Sequence, residues 1–114
     1  MTESIARIDR EELRQKLERG DDFVLVDALA PIAFARSRLP GAINLPPDWV
    51  DGRAQRRIPD RSTEIVVYCA DVDCDSSVIV GERLRELGYQ HVRHYAGGKR
   101  DWVEAGLPLE TGRG

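Results

Sequence analysis

Short apolar runs alternate with charged stretches bounded by glycine or proline, and two spacings among them predict the elements. Leu13 and Leu17 share one face behind Asp9, and Asp9 with Glu12 resembles a capping box, so a helix is expected from Asp9 to Gly20. Phe23 to Val26 is nearly all apolar between charges, as in a strand covered on both faces, and Asp27 stands at its carboxyl end. Pro31 opens a brief helix over Ile32 to Arg36, which Pro40 and Gly41 end. Ala42 to Leu45 is another apolar run, closed by Pro46 and Pro47, and the charged stretch from Asp48 to Arg61 reads as loop with a short helix. Ile65 to Tyr68 is the strongest strand, with Cys69 its last residue or the first of the next loop. A helix from Ser76 to Leu87 follows, capped by Asp75 or Ser76 and ended by Gly88. His91 to Tyr95 resumes a strand, and Gly97–Gly98 turns the chain into a last helix containing Trp102.

Strands and helices in alternation imply right-handed crossovers and an α/β fold, a parallel sheet with helices on both faces. Sites in such sheets form beyond the carboxyl ends of the strands. Asp27, the Asn44 to Pro47 segment, the Cys69 loop and the Gly97–Gly98 turn are therefore expected at one end.

At 114 residues the chain suits a single domain, with a core over residues 5–109 and a loose tail over 110–114. The 41% hydrophobic and 32% charged fractions are ordinary for a globular protein, and no apolar run is long enough to span a bilayer. The first residues lack a secretory apolar run, so a cytoplasmic location is expected. With 17 basic against 20 acidic residues the net charge is −3, which argues against nucleic acid or a membrane surface as partner.

Candidate chemistry centres on VVYCADVDCDSS, Val66 to Ser77, which contains both cysteines of the chain. A loop running from a buried strand into a helix aims main-chain N–H groups at the space above the sheet, and those donors favour a thiolate. From position alone, a catalytic Cys69 and a small buried hydrophobe are equally open.

Three segments carry a resemblance to a known family: VLVDALAPIAFARSRLPGAINLP (Val24 to Pro46), IVVYCADVDCDSS, and LRELGYQHVRHYAGGKRDWVEAGLP. Together, in this order, they resemble a rhodanese-like domain from Phe23 to Pro108. The resemblance implies a five-stranded parallel sheet and a sulfurtransferase in which Cys69 takes a sulfane sulfur from thiosulfate or a persulfide and passes it to a thiol. It further implies that the loop Ala70, Asp71, Val72, Asp73, Cys74, Asp75 and Ser76 holds the persulfide through its N–H groups, that Asp27 is structural near the site, and that no metal or organic cofactor is needed.

The chain departs from the family pattern in its loop. Active members usually carry a glycine and an arginine there; here three aspartates appear, with Cys74 near the arginine's place. Each aspartate disfavours a thiolate by about 1 kcal/mol or less if solvated, comparable to what a helix N-terminus contributes. Ala28 and Leu29 follow Asp27 where an arginine often stands two positions on, and Arg38 replaces a common histidine. These departures favour a protein persulfide or neutral donor over thiosulfate.

Two other readings stay open: a rhodanese-like binding or regulatory module with weak turnover, and a dithiol redox protein in which Cys74 resolves Cys69. A zinc site is disfavoured because His91 and His94, three apart on a strand, point to opposite faces. A cysteine phosphatase is disfavoured because Asp75 and Ser76 stand where a clamping arginine is required. Lys99 and Arg100 near the site mouth, and Arg53, Arg56 and Arg57, read as solvated charge, and Trp49 and Trp102 as packing.

Overall fold

The computed structural model describes residues 5–112. Its elements in chain order are β1 (Ala6–Arg7), α1 (Arg10–Arg19), β2 (Val24–Asp27), α2 (Pro31–Arg36), β3 (Ser37–Arg38) and β4 (Ile43–Asn44), then α3 (Pro47–Arg57), β5 (Glu64–Tyr68), α4 (Ser76–Glu86), β6 (His91–Tyr95), α5 (Gly98–Glu104) and β7 (Glu110–Thr111). Five strands form a parallel sheet in the order β1-β6-β5-β2-β4. The expected α/β architecture is the one observed.

The apolar run of β5 occupies the middle of that sheet, which is why Ile65, Val66, Val67 and Tyr68 are all buried. Alternation splits them between two cores. Ile65, Val67 and Cys69 join Val80 and Leu84 of α4 and Val50 and Ala54 of α3. Val66 and Tyr68 join Leu13 of α1 and Trp102 of α5. Burying a side chain the size of Leu13 or Ile65 contributes about 1.5–3 kcal/mol, so both helical layers are fastened mainly through this strand and its neighbours.

Local signals act as their chemistry dictates, with instructive exceptions. The Asp9 carboxylate accepts from the Glu12 N–H at 2.8 Å, and Gly20 at φ 72° closes α1. The reciprocal half of the capping box is absent, because both Glu12 oxygens take the Arg93 guanidinium at 2.8 Å instead. Asp75 occupies the N-cap position of α4 without a side-chain capping bond. The stretch expected to be loop with a short helix is an 11-residue helix, α3. Pro47 starts it, and Val50, Ala54 and Ile58 supply a buried stripe that the surrounding charges obscure.

Three short strands, β1, β3 and β7, have no counterpart in the sequence pattern. β1 lies on the sheet edge with both side chains exposed, so no alternation marks it. β7 pairs antiparallel with β3, and Arg38, nearly buried, donates to the Phe34 and Gly112 carbonyls at 3.0 and 2.8 Å. Glu110 to Gly112 are thereby tied down rather than forming part of a loose tail; residues 113 and 114 lie outside the described residues. No helix among the described residues is long and apolar enough to cross a membrane.

Candidate active site

The carboxyl ends of β2, β5 and β6 meet where the chain leaves β5. Cys69 is the first residue after that strand and is 1% exposed. The start of α5 clamps the departing loop: the Lys99 N–H donates to the Cys69 carbonyl at 2.9 Å and the Arg100 N–H to the Ala70 carbonyl at 2.8 Å. Gly98 makes this approach possible. Its φ is 65°, and a Cβ there would lie 2.4 Å from the Cys69 carbonyl oxygen.

Inside the loop, the Cys69 thiol lies 3.3 Å from the Cys74 carbonyl and 3.2 Å from Ser77 Oγ. Ser77, itself 1% exposed on the first turn of α4, lies 2.8 Å from His94 Nε2 on β6. Burial pushes the Cys69 thiol up to about 11, and the neighbouring Cys74 adds to the rise, while the Ser77 hydroxyl and N–H oppose it. Burial also acts to raise the Cys74 thiol, but the Cys69 thiol, the Ala70 and Ser76 amides and the Ser76 hydroxyl outweigh it and hold Cys74 below the ordinary thiol range. Two loop amides, those of Ala70 and Ser76, act on the Cys74 sulfur, against one, that of Ser77, on Cys69.

The remaining loop residues divide by exposure. Ala70, Asp71, Cys74 and Ser76 are half-buried, whereas Val72, Asp73 and Asp75 are exposed. Asp71 turns back on the loop and accepts from the Asp73 N–H at 3.0 Å. Asp73 and Asp75 thus lie on the outside of the loop, Asp71 is half-buried, and Cys69 lies on the loop's inner side.

Asp27 is fully buried beside this loop. Its carboxylate accepts from the Tyr68 hydroxyl at 2.7 Å and from the Leu29 N–H at 2.8 Å. The Leu39 N–H donates in turn to the Tyr68 hydroxyl at 3.0 Å, and Asn44 Nδ2 bridges the Asp27 and Leu29 carbonyls. Burial raises the Asp27 carboxyl above the ordinary range against these donors and against the attraction of Lys99 and Arg38. Tyr68 takes the place of the arginine partner that the sequence lacks at position 29.

The histidines separate as strand parity requires. His91 is exposed, and half-buried His94 faces α4 with Val92. The Ser77–His94 pair escapes sequence reasoning because 17 positions separate the two side chains. The available signals were the serine closing the cysteine segment and the parity that puts His94 on the Val92 face. Arg53 stacks on the Trp49 ring at 3.8 Å, and Trp102 is buried in the second core.

The model of the family described as the rhodanese-like domain matches residues 9–105. A sulfurtransferase of Allochromatium vinosum is 31% identical over 110 residues, which cover 96% of this chain and 99% of that protein. The thiosulfate sulfurtransferase PspE of Escherichia coli is 34% identical over 76 residues, 67% of this chain and 70% of its own. Among solved structures, a thiosulfate sulfurtransferase of Pseudomonas aeruginosa superposes with a TM-score of 0.85 at 29% identity, covering 95% of this chain and 20% of that one. With its parallel sheet, its cysteine loop after the central strand and a family match across most of its length, the chain belongs to the rhodanese-like domain family.

Proposed function

We propose that the protein is a sulfurtransferase in which Cys69 carries the sulfur as a persulfide. The observation that carries this reading is the position of Cys69: the sole residue between the central strand and a loop clamped by α5, with its sulfur turned inward beneath that loop. In the transfer, the Cys69 thiolate attacks the outer sulfur of a donor R–S–S⁻ or of thiosulfate. A bond forms between Sγ and that sulfur, the donor's S–S bond breaks, and its electron pair leaves with the thiolate or sulfite. A thiol acceptor then takes the outer sulfur by the same displacement, so each half of the cycle is redox-neutral.

The acidic exterior of the loop bears on the donor. Asp71, Asp73 and Asp75 repel a small dianion; no arginine stands within Cys69 to Ser77, and Arg100, close enough to feel Asp71 and Asp73, is shared with Glu104. A persulfide on a protein or small neutral thiol is the preferred donor, with thiosulfate used slowly. Thiosulfate nevertheless belongs in the test, since relatives bear that name.

A second reading rests on Cys74. Its half-buried thiol lies below the ordinary range beside Cys69, which suits a resolving thiol that attacks the Cys69 persulfide, expels hydrosulfide and closes a Cys69–Cys74 disulfide. Intact-mass and peptide analysis of the reduced protein after exposure to glutathione persulfide or to thiosulfate separates the two. Carrier function requires one added sulfur on Cys69 that persists in Cys74→Ser, disappears in Cys69→Ser and moves to an added thiol. A disulfide that forms in the parent in place of added sulfur supports the redox reading, and absence of both with either donor refutes sulfur transfer.

A further inference from the structure

Cys69 is 1% exposed and its thiol is pushed up to about 11, so little thiolate stands at neutral pH, and attack on a donor is helped by a group that takes the proton as the new bond forms. The polar atoms behind the thiol make an unbroken line. Cys69 Sγ lies 3.2 Å from Ser77 Oγ, and Ser77 Oγ lies 2.8 Å from His94 Nε2. Ser77 is sealed from water, and His94, half-buried, reaches the surface.

We propose that Ser77 and His94 form a proton relay that deprotonates Cys69 as it attacks the donor sulfur. The inference rests on Cys69 being the nucleophile of the proposed transfer. In the resting state the thiol donates to Ser77 Oγ, and the serine hydroxyl donates to Nε2 of a neutral imidazole whose own proton is on Nδ1. As the new S–S bond forms, the thiol proton moves to Ser77 Oγ and the serine proton moves to His94 Nε2. The imidazolium then returns a proton to water, and no electron is gained or lost along the line. Ser77 touches the reacting sulfur and is catalytic; His94 acts through it.

The surroundings of His94 suit an acceptor that is neutral at rest. Burial pushes its imidazole below the ordinary value, and Arg7 on neighbouring β1 acts in the same direction. β5 presents apolar Val67 in register, and α4 contributes Ser77 with Cys69 behind it. Among the described residues, no carboxylate acts on the ring to hold it charged. The thiol and imidazole are far apart in basicity, so the relay stores no standing thiolate; it moves the proton in step with bond formation, where general-base help is worth about 10²- to 10⁴-fold. A purely structural His94 would do no more than satisfy the buried Ser77 hydroxyl.

The test uses the full chain carrying Cys74→Ser, so that Cys69 is the sole thiol, and follows its alkylation by iodoacetamide from about pH 5 to about pH 10 alongside NMR titration of His94. The relay predicts a step in the rate coincident with the His94 titration, the rate falling as the ring gains a proton and loses its acceptor. In His94→Asn the amide still bonds to Ser77 but takes no proton, so the step vanishes and alkylation near neutral pH slows about 10²-fold. Ser77→Ala is expected to do the same. A single thiol ionisation with no step at His94 in the unaltered relay overturns the proposal whatever the variants do, as does an unchanged profile in folded His94→Asn. No sulfur donor is involved, so failure of sulfur loading would sink the proposed function and leave this result standing on its own.

Discussion

Two buried polar corners sit side by side at the carboxyl ends of neighbouring strands, and they treat their ionisable groups in opposite ways. Asp27, at the end of β2, is met by Tyr68, Leu29 and, behind them, Leu39 and Asn44. Cys69, one residue past the end of β5, has a carbonyl, the Ser77 N–H and a hydroxyl that leads on to a half-buried histidine. The first corner answers a buried charge with converging donors, which locks β2, β4 and the turn into α2 together. The second leaves the proton of its buried thiol a route to move. The same burial produces a strut in one case and, on the proposed reading, a nucleophile in the other, and the difference is whether the hydrogen bonds converge on the group or lead away from it.

That contrast breaks most clearly at Asp27. Replacing it by Ala leaves the Tyr68 hydroxyl and the Leu29 N–H buried without their acceptor, and chemical denaturation should show a loss of about 3 kcal/mol. Cys69→Ser, which keeps a small polar group in place, should shift the same measurement by about 1 kcal/mol or less while abolishing sulfur loading. If the two losses are equal, the division into strut and nucleophile is wrong.

Gly98→Ala attacks the clamp between α5 and the Cys69 loop. The left-handed backbone and the 2.4 Å approach to the Cys69 carbonyl together should cost about 2 kcal/mol. The displaced loop should also expose the sulfur, so alkylation of Cys69 is expected to speed up although the protein is less stable. Slower alkylation would mean that the clamp builds the reactive site rather than covering it.

The pH dependence sharpens the comparison further. Because burial raises the Asp27 carboxyl, the folded state binds that proton more tightly than the unfolded chain does. Its contribution is full below the ordinary carboxyl value and fades as pH climbs through the raised one. Asp27→Asn lacks this titration. The stability of the parent relative to Asp27→Asn should therefore improve as pH is lowered through the acid range, by about 1.4 kcal/mol for each unit separating the folded and unfolded values. A difference independent of pH would mean that Asp27 titrates alike in both states.

The smallest effect is expected on the outside of the loop. Asp73 is exposed, so Asp73→Asn should raise the alkylation rate of Cys69 by less than about threefold, and added salt should erase the gain. A larger, salt-resistant change would bring the loop carboxylates into the thiol's own environment.

Much of the scaffold was legible because it depends on local chemistry. Asp9 and Gly20 bound α1 by capping and by a positive φ, and Pro31 starts α2. The run Ile65 to Tyr68 marks a strand buried on both faces because no polar residue interrupts it. The helix α3 was partly hidden, since Val50, Ala54 and Ile58 form its stripe amid arginines and aspartates that a window average weighs equally. β1, β3 and β7 were invisible, because two-residue strands exist only through their partners.

The amino-acid sequence by itself determined the alternation of strands and helices, the placing of Cys69 beyond a buried strand and the acidic character of its loop, because each depends on residues near one another in the chain. Tertiary structure alone decided which sulfur the amides favour, that Tyr68 stands in for a missing arginine beside Asp27, and that Ser77 joins Cys69 to His94. Those outcomes turn on directions and ångström distances between side chains from different elements, and no periodicity or local spacing encodes them.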